Sequence, residues 1–230
     1  MPPCAASPKA DARASRMELY KYCKTEHMNA LMDSNTLRLG TVFDWRVSGK
    51  YGEMVMDSNE GTITLHSGNV VSYDWRFVPD FQMQSSVEEV EGGRNFHNTL
   101  LYTTNVYSFS AAASYSKDDH VRWFESEGYD SCYKINSARL FFRAISGALK
   151  NCAFVVYDKI QYYDPTLQNL IFEGTFHPAL LKHKEKYGNQ NEVRAIWKPT
   201  DKVAPIAPVC LTMAGISKYC ERHRTLDAMR

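Results

Sequence analysis

The chain has 230 residues, of which 44% are hydrophobic and 23% are charged, and its formal net charge at pH 7 is +1. This length suits one sizeable domain, and the near-zero net charge excludes a global field that would attract nucleic acid or an acidic membrane. No apolar run approaches the roughly 20 residues of a transmembrane helix, so we expect no membrane partner.

Residues 1–16 are rich in Ala, Pro and Ser and contain no apolar segment, which is typical of a disordered tail and not of a secretory signal. We therefore expect a tail over 1–16 and a single domain over 17–230. The 6 cysteines form no C-x-x-C pair, and no histidine spacing suits zinc. Free thiols in a reduced, cytoplasmic protein are the expectation, while the cysteine count alone also allows disulfides.

Hydrophobic periodicity predicts short strands that alternate with short helices. The N-terminal half reads as a strand at 17–23, a helix capped by Thr25, strands at 36–43, 62–66 and 70–78 with a turn at 67–69, an acidic lid-like loop at 79–93, and one long strand at 98–112. The C-terminal half reads as helices from Asp118 or Asp119 to Phe124, from Ser137 to Lys150 and over 177–187, strands at 129–135, 152–163, 190–197 and 209–212, and a final helix. This order predicts one strand-heavy α+β domain, with mostly antiparallel pairing because the connections are short and hairpin-like.

The stretch 187–197 carries the best chemical lead, because a strand pattern begins there directly after Gly188. Side chains alternate along a strand, so its polar and apolar residues fall on opposite faces. Those faces hold Gln190, Glu192 and Arg194 on one side and Val193, Ala195 and Trp197 on the other. We expect the apolar face in a core and the polar face in a cleft; the alternative is a solvated Glu192–Arg194 ion pair on an edge strand.

Two further strands carry polar side chains, Lys21 within Leu19-Tyr-Lys-Tyr22 and the two serines of Ser108-Phe-Ser110. Each has a structural alternative, a surface lysine in the first case and ordinary small strand residues in the second. The charge run over 182–186 is interpreted as a solvated helix face. The polar cluster over 57–61 precedes a strand and is read as a turn that caps its own backbone, with a metal site as the alternative.

In chain order, these three segments resemble the motifs of the arginine–serine–glutamate class of mono-ADP-ribosyltransferases. That class has a basic residue on one strand, a Ser-x-Ser-like pair on a second, and Gln-x-Glu or Glu-x-Glu on a third. Over roughly residues 17–198 the chain is also similar to DUF2971-type bacterial proteins. The shared features are the L-Y-K-Y opening, the F-S strand, a W-x-x-Y-like segment at His120-Val-Arg-Trp-Phe124, and the E-x-R-x-x-W pattern from Glu192 to Trp197.

The resemblance implies an ADP-ribosyltransferase-like α+β fold, in which two small, mostly antiparallel sheets face each other across a cleft with flanking helices. It also implies NAD as substrate and a macromolecular acceptor, either protein or nucleic acid. Glu192 would stabilise the positive charge that develops on the ribose when the nicotinamide bond breaks. Gln190 would orient the acceptor. The NAD-binding roles fall to Lys21 at the pyrophosphate, Ser108 and Ser110 at the carboxylate or ribose, and Tyr20 or Tyr107 stacked on nicotinamide.

Two departures from the family pattern keep other functions open. Lys21 stands where the family has an arginine, whose planar fork grips a pyrophosphate through two hydrogen bonds. Phe109 separates the two serines. NAD hydrolysis and a non-catalytic binding or interaction module are therefore the alternatives to transfer, and delivery to another cell as an effector is an alternative to a purely cytoplasmic role.

Overall fold

The computed structural model describes residues 17–46, 55, 60–66, 81–90, 93–103, 105–164, 177–200 and 206–226, with the backbone alone for 62–66, 81–90 and 93–103. Within these residues the fold is α+β and its sheets are mostly antiparallel, as the sequence predicts. The described strands form a main sheet of 8 strands, a second sheet of 3 strands and a pair of short strands, Gln161–Tyr163 and Leu181–His183. The expected tail, the turn at 67–69 and the strand at 70–78 lie outside the described residues.

The described helices are α1 Thr25–Ser34, α2 Lys117–Glu127, α3 Ala138–Ala148 and the single turn α4 Lys184–Tyr187, with 3-10 turns at Phe43–Arg46, Pro178–Leu180 and Ile216–Tyr219. The described strands are β1 Leu19–Cys23, β2 Thr36–Thr41, β3 Thr62–His66, β4 Phe81–Val90, β5 Gly93–Thr103, β6 Tyr107–Ala112, β7 Ser131–Ile135, β8 Cys152–Lys159, β9 Gln161–Tyr163, β10 Leu181–His183, β11 Glu192–Pro199, β12 Val209–Thr212 and β13 Cys220–Thr225.

Strand β6 is the centre of the main sheet. On one edge it pairs along its length with β11, which in turn pairs with β8. On the other edge it pairs with β1 near its C-terminal end and with β2 near its N-terminal end. Strands β7 and β13 continue the sheet beyond β1, and β12 continues it beyond β2.

The hydrophobic core lies on one face of this sheet, between the strands and helices α1 and α3. Apolar side chains recur on α3 at Phe141, Phe142 and Ile145, the spacing that places them on one face of a helix. They pack against the face of β11 that carries Val193, Ala195 and Trp197, as the alternation predicts. The Trp197 indole nitrogen donates a hydrogen bond of 2.8 Å to the Ser146 hydroxyl, so its buried polar atom is satisfied.

The second sheet corrects the expectation of an acidic lid at 79–93. Residues 81–90 form β4, which pairs in register with β5 from Phe81 opposite Tyr102 to Val90 opposite Gly93. The low apolar content suggested a loop, but backbone groups pair along a strand whatever the side chains are. Strand β3 pairs with the other edge of β5.

The long strand expected at 98–112 is also a correction, because it divides into β5 and β6 in two different sheets. Between them, the Asn105 side-chain oxygen accepts a hydrogen bond of 3.1 Å from the Phe43 amide. The Val106 carbonyl accepts one of 3.0 Å from the Val42 amide. The alternation of side chains continues through this junction, so the sequence pattern does not show that the chain changes sheet.

Two predicted helices are wrong. Residues 177–187 form a 3-10 turn, strand β10 and only one turn of α-helix, and β10 pairs in parallel with β9. His177 favours the short turn, because its Nδ1 accepts a hydrogen bond of 3.1 Å from the Ala179 amide. The expected final helix is a 3-10 turn followed by β13, whose backbone pairs with β7.

The helix ends are partly as predicted. Asn35 ends α1 in the left-handed conformation, at φ 52°, as expected from its position. Thr25 does not cap this helix, because it is the first helical residue and Lys24 holds the cap position. Helix α2 is capped by Ser116, whose hydroxyl accepts a hydrogen bond of 3.2 Å from the Asp119 amide, and not by an aspartate.

Candidate functional site

The main sheet splits at β6, where β1 and β2 share one edge of the strand and then diverge. Tyr20 pairs with Ala112, and the next pairing on that edge is Gly40 with Ser108. Backbone groups between these two pairs face the gap and need other partners. The Lys21 ammonium supplies one of them, since its Nζ donates a hydrogen bond of 2.8 Å to the carbonyl oxygen of Ser110.

A cavity of about 370 Å³ opens at this split. Its volume lies within the range of roughly 300–1,000 Å³ that is common for small-molecule sites. Its polar lining includes Lys21 on β1, Arg38 on β2, Ser108 and Ser110 on β6, Lys182 on β10, Glu192 and Arg194 on β11, and Gln190 just before β11. Aromatic side chains form much of the remaining wall, namely Tyr20, Tyr22, Trp45, Phe109, Trp123, Tyr129 and Tyr133.

Glu192 is buried at the start of β11 and has two cationic partners. Its Oε1 accepts hydrogen bonds from Arg194 Nε at 2.9 Å and Nη2 at 2.8 Å, and its Oε2 lies 2.8 Å from Lys182 Nζ. Burial by itself would raise the pKa of this carboxyl group, but Arg194, Lys182 and the Ser110 hydroxyl hold it below its usual range. Glu192 is therefore ionised at neutral pH, and its interpretation as a solvated ion pair is wrong.

Arg194 is completely enclosed and connects Glu192 to a second carboxylate, Glu60. Its Nη1 donates hydrogen bonds to Glu60 Oε1 and, at 2.5 Å, to the Ala179 carbonyl oxygen. Burial raises the pKa of Glu60, against the opposing effects of Arg194 and Lys182. Glu60 Oε2 is buried and has no hydrogen-bond partner among the described residues.

Trp45 covers the Arg194 guanidinium, whose central carbon lies 4.9 Å from the indole ring. The indole approaches β2 closely at Gly40, where a Cβ atom would lie 3.3 Å from the indole nitrogen. The missing side chain at this position leaves room for the ring. The guanidinium is thus held by hydrogen bonds, two carboxylates and an aromatic face.

Lys182 is a site residue that sequence reasoning missed. It was assigned to a solvated helix face, but it lies on β10 and is only 6% exposed. Besides Glu192, its Nζ contacts the Gln190 side-chain oxygen at 3.0 Å and lies 4.8 Å from the Tyr187 ring. The apolar residues at 179–181 and the short parallel pairing with β9 turn this lysine inward, and no motif in the charge run indicates it.

Gln190 lies before β11 and not on it, so it does not share a strand face with Glu192 and Arg194 as the alternation predicts. The chain reaches β11 through Asn191, whose φ is 44°, and this left-handed residue breaks the alternation. The Gln190 side chain still lies in the cavity, where Lys182 joins it to Glu192. The two residues of the Gln-x-Glu pair therefore share a cation rather than a strand face.

Lys21 differs from Arg38, Lys182 and Arg194, which are ion-paired, because no carboxylate lies within ion-pair distance of it among the described residues. Its Nζ lies 5.3 Å from the centre of the Phe109 ring. Burial lowers the pKa of this ammonium, and the more distant Glu192 and Cys23 only partly offset that effect. It lines the cavity together with Phe109 and Ser110.

Among the remaining predicted site residues, Ser110 and Tyr20 lie in the cavity and Tyr107 does not line it. The Ser110 hydroxyl accepts a hydrogen bond of 3.2 Å from Arg194 Nε. Ser108 also lines the cavity, and its hydroxyl oxygen is buried without a described partner. Tyr107 faces the core side of β6, so the alternation of the strand excludes it from a site that contains Ser108 and Ser110.

The cavity has an excess of positive charge close to aromatic surface. Lys21, Arg38, Lys182 and Arg194 supply four cations, with Arg38 paired to Asp44 at 2.6 Å, whereas Glu192 is the carboxylate that lines the cavity and is held ionised. Such a lining suits a ligand that has both anionic groups and flat rings. Among the described residues, no group of three His, Cys, Asp or Glu side chains is placed to hold a metal ion.

Comparisons with protein-family models, with curated proteins and with solved structures find no match to this chain. No helix in the described part of the chain is long and apolar enough to cross a membrane. The five described cysteines, Cys23, Cys132, Cys152, Cys210 and Cys220, are free thiols.

Proposed function

We propose that the cavity binds NAD and that the protein transfers ADP-ribose from NAD to a macromolecular acceptor. The observation that carries this proposal is the convergence of Glu192, Gln190, Lys21 and Ser110 in one cavity where the sheet splits. Lys21, Ser110 and Glu192 come from three strands that are distant in sequence, and Gln190 lies just before the third. They are also the residues that the resemblance to mono-ADP-ribosyltransferases selects.

The charges support a dinucleotide as the ligand. A pyrophosphate carries two negative charges, and Lys21 and Lys182 are the cations at which it would be held. The aromatic walls offer surfaces for the nicotinamide and adenine rings, with Tyr20 next to Lys21 on β1. Lys21 would act as a point charge, since an ammonium lacks the planar fork of a guanidinium.

In the reaction, the bond between ribose C1′ and the nicotinamide nitrogen breaks, and nicotinamide leaves with the electron pair. The positive charge that remains on the ribose would be stabilised by the ionised Glu192, which is already fixed in place by Arg194 and Lys182. The acceptor atom then bonds to C1′ and its proton is released to water. Gln190, whose side-chain oxygen is held by Lys182, would orient the acceptor.

The test measures NAD affinity by calorimetry, nicotinamide release, and transfer of label from NAD for the wild type and three variants. Glu192→Gln retains the shape of the side chain and removes its charge, so NAD binding should persist and nicotinamide release should fall by about 100-fold or more. Gln190→Ala should reduce transfer to the acceptor more than nicotinamide release. Glu185→Gln, at an exposed carboxylate on α4, is the matched control and should change neither.

Undiminished nicotinamide release from Glu192→Gln contradicts the mechanism. Release of nicotinamide without transfer of label assigns the protein as an NAD hydrolase instead. NAD at 100 times its dissociation constant should also stabilise the wild type by about 2.7 kcal/mol, which a thermal-shift measurement detects.

A non-catalytic NAD-binding module is the second candidate, and the geometry of Glu192 favours it. Both carboxylate oxygens are already engaged by Arg194 and Lys182, which reduces the negative charge available to a ribose cation. NAD affinity without nicotinamide release in the wild type would support this candidate over the transferase.

A further inference from the structure

A second depression in the surface lies beside the cavity, and we call it the aromatic groove. It is lined by the start of β1, the turn after β6 and strand β13, with Tyr20, Ser114, Tyr115, His223 and Arg224 as its main side chains. Its volume is about 700 Å³ and it is open to solvent. None of these residues except Tyr20 belongs to the cavity described above.

Three rings in the groove lie in mutual contact at steep angles, 71° between Tyr115 and His223 and 68° between Tyr20 and His223. The Tyr115 and His223 rings lie 4.7 Å apart, and the Tyr20 ring lies 5.1 Å from His223 and 6.1 Å from Tyr115. Burial lowers the pKa of His223, with a further contribution from Arg224, so its ring is neutral at pH 7. The groove therefore presents uncharged flat surfaces of the type on which another aromatic ring stacks.

Arg224 provides the charge of the groove. Its guanidinium lies 5.6 Å from the Tyr115 ring centre, and no carboxylate pairs with it among the described residues. Glu18, the carboxylate that lines the groove, lies 2.8 Å from Lys134, which also lies 3.6 Å from Glu221. The groove thus offers a cation next to stacking surfaces, and its carboxylate is already engaged by a lysine.

The groove is directly connected to the Gln190–Glu192 segment. Asn191 lies between these two residues, and its Nδ2 donates a hydrogen bond of 3.0 Å to the Ser114 hydroxyl in the groove. Its carbonyl oxygen accepts one of 2.9 Å from the Ala113 amide. Tyr20 lines both spaces. A ligand in the groove would therefore lie next to the proposed transfer site.

We propose that the aromatic groove binds single-stranded nucleic acid and places one of its unpaired bases as the acceptor of ADP-ribose. The acceptor role rests on the proposed function, whereas binding in the groove does not. Unpaired bases stack on aromatic side chains whatever their sequence, and a neighbouring arginine contacts the phosphates. In the transfer step, a nitrogen or oxygen of the base bonds to ribose C1′ as nicotinamide leaves, and the proton of that atom passes to water.

The binding test uses fluorescence anisotropy without NAD. Labelled DNA and RNA single strands of about 12 nucleotides and the matching DNA duplex are titrated with the full chain. We expect the single strands to bind more tightly than the duplex, and the comparison of DNA with RNA identifies the source of the strand. Arg224→Ala should weaken single-strand binding by roughly tenfold.

Arg222→Ala is the matched control. It removes the same charge from the same strand, but Arg222 contacts Asp33 at 2.8 Å and does not line the groove. We expect this change to alter affinity by less than about twofold, the effect of one surface charge. Equal losses for the two arginine variants would show a non-specific charge effect and overturn the proposal, as would equal affinity for duplex and single strand.

Transfer is then measured with labelled NAD and with the single strand or a mixture of unmodified proteins as acceptor. Label on the strand that is lost in Arg224→Ala supports the proposal. Label on protein that depends on Arg224 overturns it in favour of a protein acceptor. If the protein binds single strands but not NAD, both the proposed function and the acceptor role are rejected. The groove then remains a binding site for single-stranded nucleic acid.

Discussion

Arg194 joins two buried carboxylates that lie in different regions of the molecule and have opposite electrostatic environments. Glu192 lies at the start of β11, beside the cavity, and also contacts Lys182. Glu60 lies before β3, and one of its oxygens has no hydrogen-bond partner among the described residues. The pKa is held low at Glu192 and is raised by burial at Glu60.

The difference shows that burial and a shared arginine do not by themselves determine the charge of a carboxyl group. Burial disfavours the ionised form at both sites, and Arg194 opposes it at both. Lys182 contacts Glu192 directly and acts on Glu60 only from farther away. Lys182, which sequence reasoning missed, is therefore the partner that distinguishes Glu192 from Glu60. Glu192 is held ionised, whereas the pKa of Glu60 is raised.

Removing the shared arginine should have the largest effect. Arg194→Met keeps a long apolar side chain but leaves two carboxylates without their guanidinium, and breaking a buried pair in this way costs about 3–5 kcal/mol. Urea denaturation measures the loss. Adding Glu60→Gln to Arg194→Met should recover part of it, and a loss below about 1 kcal/mol in the single variant would contradict the structure.

Removing Lys182 should make Glu192 resemble Glu60. Lys182→Met deletes a charged hydrogen bond to Glu192 and one to Gln190, so we expect a loss of about 1.5–3 kcal/mol and a rise in the pKa of Glu192. The pH dependence of urea denaturation reports both. Lys184→Met, at an exposed lysine on α4, is the control and should change stability by less than about 0.5 kcal/mol. Equal effects at 182 and 184 would contradict the burial of Lys182.

Replacing each carboxylate by an amide should give opposite pH dependences. The lowered pKa of Glu192 stabilises the fold above pH 4.5, the ordinary value, and that contribution is lost as the pH falls through the lowered pKa. The raised pKa of Glu60 stabilises the fold below pH 4.5, and that contribution is lost as the pH rises through the raised pKa.

The difference in stability between wild type and Glu192→Gln should therefore increase with pH, whereas the difference between wild type and Glu60→Gln should decrease. Each unit of pKa shift corresponds to about 1.4 kcal/mol between the two limits. Urea denaturation of the three proteins across the acidic and neutral range measures both slopes. Slopes of the same sign would show that the two carboxylates do not differ as described.

Lys21 extends the comparison to a half-buried cation that has no carboxylate within ion-pair distance among the described residues, and its replacement should have the smallest effect. The pKa of Lys21 is lower in the folded chain than in the unfolded chain, so the unfolded chain binds the proton more tightly. Protonated Lys21 therefore destabilises the fold at any pH below its pKa in the folded chain. Lys21→Met should stabilise the chain by about 1 kcal/mol at neutral pH, and this gain should shrink as the pH rises towards 10.5. A loss of stability would indicate that the bond to Ser110 outweighs burial. NAD affinity of the same variant should fall, because the pyrophosphate loses a cation.

Local patterns predicted part of the fold well. The strands at β1, β2, β7 and β11 and the helix α3 follow from apolar periodicity, since their buried faces repeat at the spacing of a strand or a helix. The pattern failed for 79–93 and 177–187, where polar or charged residues form strands through backbone pairing with distant segments. Such pairing depends on a partner strand and leaves little signal in the segment itself.

For the site, the sequence determined that Glu192 and Arg194 share a strand face opposite Val193, Ala195 and Trp197, because alternation is a property of the strand alone. It also indicated Gln190, Lys21 and Ser110 through their motifs. Only the tertiary structure decided that these residues meet, because the sheet splits between β1 and β2 around β6. It alone placed Lys182 and Glu60 on the same ion-pair network, since 134 residues separate Glu60 from Arg194 and only packing brings them together.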